Sequence, residues 1–256
     1  MKVVIIGSGK VAVFFANKLS AGGAEIVQVF GRRLESIADF AAAVNAGPIT
    51  NWNQLNLHAD LYLIAISDDA ISDLAAQMPM VNGMVVHTAG AKPLSVLNEK
   101  FERSGVIYPL QSINKYTTEN AVVPLLLESN KSDDEPVLKR VAELISPQFQ
   151  MVTSADRLKL HVSAVIVNNF PNYLYSLAHR FCEEQTVDFK LLMPLISETT
   201  NRLYQFSPEM LQTGPAVRKD ESTIEQHLEI LKEEPELSNV YRQLTDAIVK
   251  SSVFKK

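Results

Sequence analysis

A short apolar strand that leads directly into a glycine turn and a helix start constrains this chain more than any other feature. Residues 3–12 read VVIIGSGKVA. Gly7 permits the turn, Gly9 lets a phosphate approach the backbone, and the small Ala12 lets the helix pack close to the strand. The pattern predicts a dinucleotide site with pyrophosphate on the free N–H groups of the helix, although a glycine turn without a ligand is the alternative. We expect the cofactor contacts to come from Gly7, Ser8, Gly9, Lys10, Val11 and Ala12.

The end of the second predicted strand indicates which dinucleotide binds. Residues 24–30 read AEIVQVF, and Gly31, Arg32 and Arg33 follow. An NAD site usually has Asp or Glu here to bind the ribose 2′-hydroxyl. Two guanidinium groups instead suit a 2′-phosphate, because they offer several donors to charged oxygens. We therefore predict NADP as the cofactor; the alternative is that both arginines are solvated residues at the start of the next helix.

Length and composition are those of an ordinary globular protein. The chain has 256 residues, 46% of them hydrophobic and 21% charged, with a formal net charge of −5. This length allows a sizeable core in one large or two modest domains. The acidic balance argues against nucleic acid and anionic membranes as partners. No apolar run is long enough to cross a bilayer, and the first strand begins at the N-terminus, so we expect a cytoplasmic protein without a signal peptide.

Strand and helix patterns alternate in the first part of the chain, and helical patterns fill the rest. The apolar segment 61–66, LYLIAI, is typical of a strand buried on both faces of a parallel sheet. Repeated βα units predict an α/β fold with a doubly wound, mostly parallel sheet. Pro124 predicts an edge strand or a bulge at 121–128, and Pro171 should kink or split a long helix. We expect a nucleotide-binding domain over 1–153 and an all-helical domain over 154–256.

Polar residues follow three of the predicted strands. Ser67 and Asp68 follow one strand, His87 ends the next, and 109–112 reads PLQS after a further one. Ligands of doubly wound sheets bind beyond the carboxyl ends of the strands. We therefore expect Ser67 and Asp68 to contact the cofactor and His87 to reach a nicotinamide or substrate carbonyl. The alternative for His87 is a histidine whose ring nitrogens bond loop backbone.

The segment HVSAVIVNN supplies further candidate site residues. Helical spacing places His161, Val165 and Asn169 on one face, with Asn168 beside them. We predict His161 or His87 as the proton donor of a reduction and Asn169 as a ligand of a carbonyl or amide. The alternative is that these are satisfied polar residues of a core.

A loop and helix start near the C-terminus carry the last candidate. Residues 213–227 read TGPAVRKDESTIEQH, in which Asp220 can cap the following helix. Arg218 could bind a substrate carboxylate or phosphate, although a structural ion pair with Asp220 is the more ordinary role. The sequence contains neither HExxH nor CxxC, so we predict no metal site. A single cysteine, Cys182, excludes an intrachain disulfide and is expected in a core.

Several motifs together resemble one family, the NADP oxidoreductases with a Rossmann-like N-terminal domain and a helical C-terminal domain of unassigned function. The motifs are IGSGKVA, IAISDDAI, VVHTAGA, YPLQS, HVSAVIVNN and TGPAVRKDESTIEQH, which span nearly the whole chain. The layout is similar to that of pyrroline-5-carboxylate reductase and the 6-phosphogluconate and hydroxyisobutyrate dehydrogenases. The resemblance implies NADP-linked hydride transfer with the substrate between the domains, and a homodimer formed through the helical domain.

The resemblance implies site positions and also shows a departure. Hydroxyacid dehydrogenases place a catalytic Lys and an Asn four residues apart, but Val165 stands four residues before Asn169. Their lysine mechanism therefore does not carry over. We expect an oxidoreductase acting on a C=O or C=N bond of a small polar or anionic substrate; the alternative is a dinucleotide-binding sensor or interaction protein without turnover. The polar positions implied by the family are His87, His161, Asn169, Arg218, Asp220 and His227.

Overall fold

The computed structural model describes residues 1–118 and 121–251. Within these residues one sheet has the strands β1 (Lys2–Ile6), β2 (Glu25–Phe30), β3 (Gly47–Ile49), β4 (Leu61–Ile64), β5 (Met84–His87), β6 (Ser104–Pro109), β7 (Leu125–Ser129) and β8 (Phe149–Met151). Their order is β3-β2-β1-β4-β5-β6-β7-β8. Neighbours are parallel except β6 and β7, which are antiparallel. The predicted doubly wound, mostly parallel sheet is confirmed.

Helices connect the strands and then form the C-terminal part of the described chain. The connections between parallel strands contain helices and cross a face of the sheet, which returns the chain to the end of the sheet where the next strand begins. The helices are α1 (Lys10–Ala21), α2 (Ala38–Ala43), α3 (Ile71–Gln77), α4 (Ser95–Asn98), α5 (Glu135–Glu143), α6 (Ser154–Ala164), α7 (Phe170–Glu184), α8 (Met193–Arg202), α9 (Pro208–Leu211), α10 (Pro215–Arg218), α11 (Glu221–Ile230) and α12 (Pro235–Lys250).

The sheet has an apolar core on each face. Alternate residues of a strand point to opposite faces. Val3 and Ile5 of β1 therefore join one core with α1, α2 and α5. Val4 and Ile6 join the other core with α3 and α4. The same burial on both faces is seen in β4, whose residues are all buried, as the apolar pattern predicts.

Two prolines influence the strands and helices in different ways. The expectation of an edge or bulge at Pro124 is wrong, because β7 begins one residue later and lies between β6 and β8. The missing N–H of Pro124 thus falls outside the ladder, and its carbonyl accepts from Leu110 N. Pro171 was expected to split the long helix, and a π-helical turn at Val165–Asn169 does separate α6 from α7. Proline at 171 cannot donate to the Val167 carbonyl one turn earlier.

The chain forms two compact units, Met1–Asn168 and Asn169–Lys256. The first contains the sheet, α1 to α5, and also α6 with most of the π turn. The second contains α7 to α12, in which α10 contacts both α11 and α12. Cys182 is buried in this unit, in keeping with its expected core position. The division at 153/154 stays a prediction, and residues 252–256 of the predicted helical domain lie outside the described residues.

Candidate functional site

The glycine turn after β1 adopts a backbone shape that excludes a side chain. Gly7 has φ +127°, and a Cβ there would lie 2.1 Å from the carbonyl oxygen of Ala65. Gly9 is the N-cap of α1 and makes no side-chain cap hydrogen bond, and a Cβ there would meet no atom within 4 Å. Ala12 is fully buried under the turn. The first N–H groups of α1 therefore face open space, as an anion site requires.

A cavity of about 850 Å³ lies over this turn at the carboxyl ends of the strands. Of the residues expected to contact the cofactor, Ala12 alone is not in its lining, since it packs beneath the turn. Arg32 and Arg33 line the cavity beyond the end of β2. The structure thus brings together most of the predicted set, namely Gly7, Ser8, Gly9, Lys10, Val11, Arg32, Arg33, Ser67 and Asp68.

An aromatic pair forms one wall of the cavity and was not predicted from the sequence. Trp52 stacks on Phe30, with ring centroids 3.7 Å apart and planes 7° apart, and both line the cavity. Trp52 begins a 3₁₀ turn that the Asn51 side chain caps by accepting from Asn53 N. The chain contains one tryptophan. Its indole fluorescence therefore reports on this cavity alone.

His87 is at the end of β5 and is completely buried. Its Nδ1 accepts a hydrogen bond from Ala89 N at 3.2 Å, and the backbone of Pro93 lies near the ring. Burial, followed by the nearby charge of Arg157, lowers the pKa of His87 to about 4. The imidazole is therefore neutral near pH 7 and has no open path to a ligand. It matches the backbone-bonded histidine that the sequence analysis leaves open.

His161 on α6 meets Tyr108 at the end of β6. Tyr108 Oη and His161 Nδ1 are 2.9 Å apart, and both residues are partly buried. Gly90 lies against the pair: a Cβ there would be 2.7 Å from His161 Nδ1 and 2.8 Å from the tyrosine ring. Burial, and next the charge of Asp68, raise the pKa of Tyr108. Asp68 lines the cavity, whereas Tyr108 and His161 are not part of its lining.

The two asparagines of the π turn have different surroundings. Asn168 Nδ2 donates to Ser112 Oγ at 2.6 Å, in the loop after β6. Asn169 is exposed and caps α7 without a side-chain hydrogen bond. A π turn holds more residues than an α turn, so the face predicted from a period of 3.6 does not continue through it. Asn168 was predicted to lie beside the helix face that carries His161 and Asn169. It is the residue that contacts the loop after β6.

A buried arginine anchors α6 in the first unit and was not predicted. Arg157 is 0% exposed and forms an ion pair with Glu128 of β7. Its Nη2 donates to the carbonyl of Lys92 at 2.6 Å, in the loop after β5. Glu128 also accepts from the hydroxyl of Ser154. Arg157 is one helical turn before His161, so these bonds fix the position of that histidine.

In the second unit Asp220 caps α11 as predicted, whereas Arg218 is mostly exposed and only distantly paired with Asp220. Asp220 accepts from Thr223 N at 3.1 Å and from Thr223 Oγ1 at 2.8 Å, as the cap prediction requires. These hydrogen bonds lower the pKa of Asp220. Arg218 lies 4.0 Å from the Asp220 carboxylate, and its side chain is 64% exposed. His227 Nδ1 lies 2.8 Å from Tyr241 Oη.

Comparison with known proteins identifies the family. A family model described as NADP oxidoreductase, coenzyme F420-dependent, matches residues 2–89, and a domain of unknown function (DUF2520) matches 123–248. A solved structure from Bacteroides fragilis, provisionally described as an NADP oxidoreductase, is 32% identical, covers 98% of each chain and has a TM-score of 0.89. This chain belongs to that NADP oxidoreductase family. The resemblance and the NADP cofactor expected from the sequence are confirmed.

More distant structures share the fold of this oxidoreductase. A reductive aminase from Aspergillus terreus, in complex with NADPH and ethyl-5-oxohexanoate, is 12% identical over 96% of this chain and 92% of that one, with a TM-score of 0.75. A pyrroline-5-carboxylate reductase from Streptococcus pyogenes is 14% identical over 98% and 99%, with a TM-score of 0.62. Among curated proteins, none matches the sequence.

The described part of the oxidoreductase contains no cluster of three or more His, Cys, Asp or Glu side chains that could hold a metal ion. In the same residues, no helix is both long and apolar enough to cross a bilayer. The cavity, in contrast, fits NADP. It offers open helix N–H groups for a pyrophosphate and two arginines for a further phosphate, and no acid stands at the end of β2.

Proposed function

We propose that this oxidoreductase transfers hydride between NADP(H) and the C=O or C=N carbon of a small polar substrate. One observation carries the proposal. The cavity that fits the dinucleotide is lined by Thr88 and Asp68, and the charge of Asp68 acts on Tyr108, whose hydroxyl lies 2.9 Å from His161 Nδ1. A hydride donor and a proton-donating pair would then act on adjacent atoms of one substrate.

Each part of the cavity has a proposed role toward the cofactor, which supplies the hydride when bound. The N–H groups at residues 8–11 hold the pyrophosphate, because the helix N-terminus carries partial positive charge. Arg32 and Arg33 hold the 2′-phosphate, and Trp52 packs beside the adenosine. Ser67 and Asp68 lie at the carboxyl end of β4, toward the nicotinamide.

The proposed substrate contacts follow from what each side chain can reach. His161 is retained in the proton-supplying role, whereas His87 is dropped because it is buried and neutral. Asn169 and Arg218 remain proposed ligands of polar or anionic substrate groups, since both are exposed. The names of the distant relatives, a reductive aminase and a pyrroline-5-carboxylate reductase, favour a C=N bond over a C=O bond.

Two measurements on the intact protein test this function. NADPH should quench the fluorescence of Trp52. It should also raise the melting temperature, because a hundredfold excess over Kd adds about 2.7 kcal/mol to the free energy of unfolding. NADH should have a far smaller effect on both. Turnover is then followed as NADPH consumption with 2-methyl-1-pyrroline, or with ethyl 5-oxohexanoate and methylamine. Absence of any cofactor response would refute the proposal. Binding without turnover of imines, keto acids and aldehydes would favour the non-catalytic sensor instead.

We also propose a cytoplasmic homodimer that forms through the helical second unit. Leu191, in the 3₁₀ turn before α8, is 73% exposed, Leu195 of α8 is 64% exposed, and Met210 of α9 is 74% exposed. Large exposed apolar groups on one unit are typical of an interaction surface. Light scattering should give twice the chain mass, and Leu195→Glu should give a monomer, with Glu225→Gln on α11 as a control. A wild-type monomer at micromolar concentration would refute the dimer.

A further inference from the structure

We propose that the hydroxyl of Tyr108 is the group that donates the proton to the substrate heteroatom, and that His161 positions this hydroxyl and returns its proton. The inference rests on the proposed hydride transfer and deepens it. It assigns a catalytic role to Tyr108, the first residue of the YPLQS motif, which was not among the site residues predicted from the sequence.

The geometry around Tyr108 favours a donor aimed away from the histidine. Tyr108 is the next-to-last residue of β6, whose carboxyl end lies on the same side of the sheet as the carboxyl ends of β4 and β5. Its Oη lies 2.9 Å from His161 Nδ1, and the two rings are nearly perpendicular at 77°. When Nδ1 donates to Oη, the phenolic O–H bond must point away from the histidine and is free to donate to another group. His161 cannot offer the same nitrogen to a substrate.

The surroundings leave room for this pair and for nothing larger beside it. Gly90 stands where any side chain would strike His161 Nδ1 and the Tyr108 ring, at 2.7 and 2.8 Å. The ion pair of Arg157 with Glu128 holds α6, and thereby His161, in place. Asn168 Nδ2, bound to Ser112 Oγ, fixes the loop that follows Tyr108. The positions of both rings are therefore restricted by their neighbours, as a preorganised proton donor requires.

Burial and a nearby carboxylate keep the Tyr108 hydroxyl protonated before the reaction. Burial and the Asp68 carboxylate raise its pKa, while Arg157 acts in the opposite direction. A phenol that remains protonated at neutral pH can lose its proton only to a strongly basic atom. The alkoxide or amide anion that hydride addition would create on a C=O or C=N substrate is such an atom.

The step balances with the partners named. Hydride from the reduced cofactor forms the new C–H bond as the π bond to oxygen or nitrogen breaks. The Tyr108 O–H bond breaks, and its proton joins that heteroatom. The phenolate accepts a hydrogen bond from His161 Nδ1–H, and this proton passes to Oη as the partly exposed ring takes up a proton from solvent at its other nitrogen.

The first test removes the hydroxyl and nothing else. Tyr108→Phe should lower kcat by about 10²- to 10⁴-fold, the usual contribution of a general acid, and should leave NADPH quenching of Trp52 unchanged. Tyr204→Phe is the control, because that tyrosine is 91% exposed. The substrate is whichever of 2-methyl-1-pyrroline or ethyl 5-oxohexanoate with methylamine the wild type reduces faster. A Tyr108→Phe variant with wild-type kcat would overturn the inference while leaving the proposed function intact.

The second test separates positioning from proton donation by His161. In His161→Asn the side-chain amide can still donate to Oη but cannot titrate. We expect a lower kcat and a pH–rate profile that differs in shape from that of the wild type, because the amide cannot relay a proton. The neighbouring charges of Asp68 and Arg157 are the same in both proteins. If His161→Asn abolished turnover while Tyr108→Phe did not, the histidine itself would be the donor and the inference would be wrong. A wild type that binds NADPH but reduces neither compound would refute the proposed catalysis, and this inference with it.

Discussion

Acid should destabilise the first unit through His87, and the size of the effect follows from its burial. The folded-state pKa is lowered to about 4 from 6.5. Between these two values the unfolded chain binds a proton that the folded chain does not, so stability falls as pH falls. Each unit of pKa difference corresponds to about 1.36 kcal/mol. The penalty is therefore about 2 kcal/mol at about pH 5 and about 3 kcal/mol below about pH 4.

The assay compares wild type with His87→Asn in urea at several pH values. The fluorescence of Trp52 reports unfolding of the same unit. The amide oxygen of Asn can accept from Ala89 N, as Nδ1 does now, so the main cost of the substitution is a smaller side chain at every pH. Wild type should lose about 2 kcal/mol more than the variant between about pH 7.5 and pH 5. Equal losses in the two proteins would refute the claim that His87 is held neutral.

Three further predictions concern the cofactor cavity and α6. Arg32→Ala should weaken NADPH binding by about 10- to 100-fold and leave NADH binding unchanged, as read by Trp52 quenching, since it removes charged hydrogen bonds to one phosphate. Gly7→Ala should prevent folding because its Cβ would lie 2.1 Å from a carbonyl oxygen, whereas Gly9→Ala should fold with unchanged circular dichroism and bind NADPH more weakly. Arg157→Leu should lower the free energy of unfolding in urea by about 3–5 kcal/mol, because it leaves the Glu128 carboxylate without its ion-pair partner. Adding Glu128→Leu should recover part of that loss. Strictly additive costs of the two substitutions would argue against the ion pair.

Patterns within a few residues predict most of the sheet and the cofactor turn. The strand–glycine–helix order at Gly7 and the apolar run at 61–66 each reflect local rules of backbone shape and burial. Strand β3 was missed because it has three residues and contains Gly47 and Pro48, which are better known as helix stops. Its pairing with β2 depends on the edge that β2 already offers, which local sequence does not show.

The candidate catalytic pair was only half predictable, for the same reason. His161 was identified as a polar residue on an apolar helix, but its partner Tyr108 is 53 positions away in sequence. The contact exists because the Arg157–Glu128 ion pair joins α6 to β7, which pairs with β6, and no periodicity encodes that. The π turn likewise escaped prediction, since a single extra residue in a helix changes which side chains share a face without changing their composition.

The strand order has a consequence for how the chain is made. From β5 to β8, each strand joins the sheet beside the one synthesised just before it, and β4 joins beside β1, which is already made. Every segment that leaves the ribosome therefore finds its template already exposed, and pairing never has to wait for a later part of the polypeptide. Until the three-residue β8 pairs with it, the longer β7 is an unpaired edge strand, so stalled or truncated chains that stop before Phe149 would present β7 to one another.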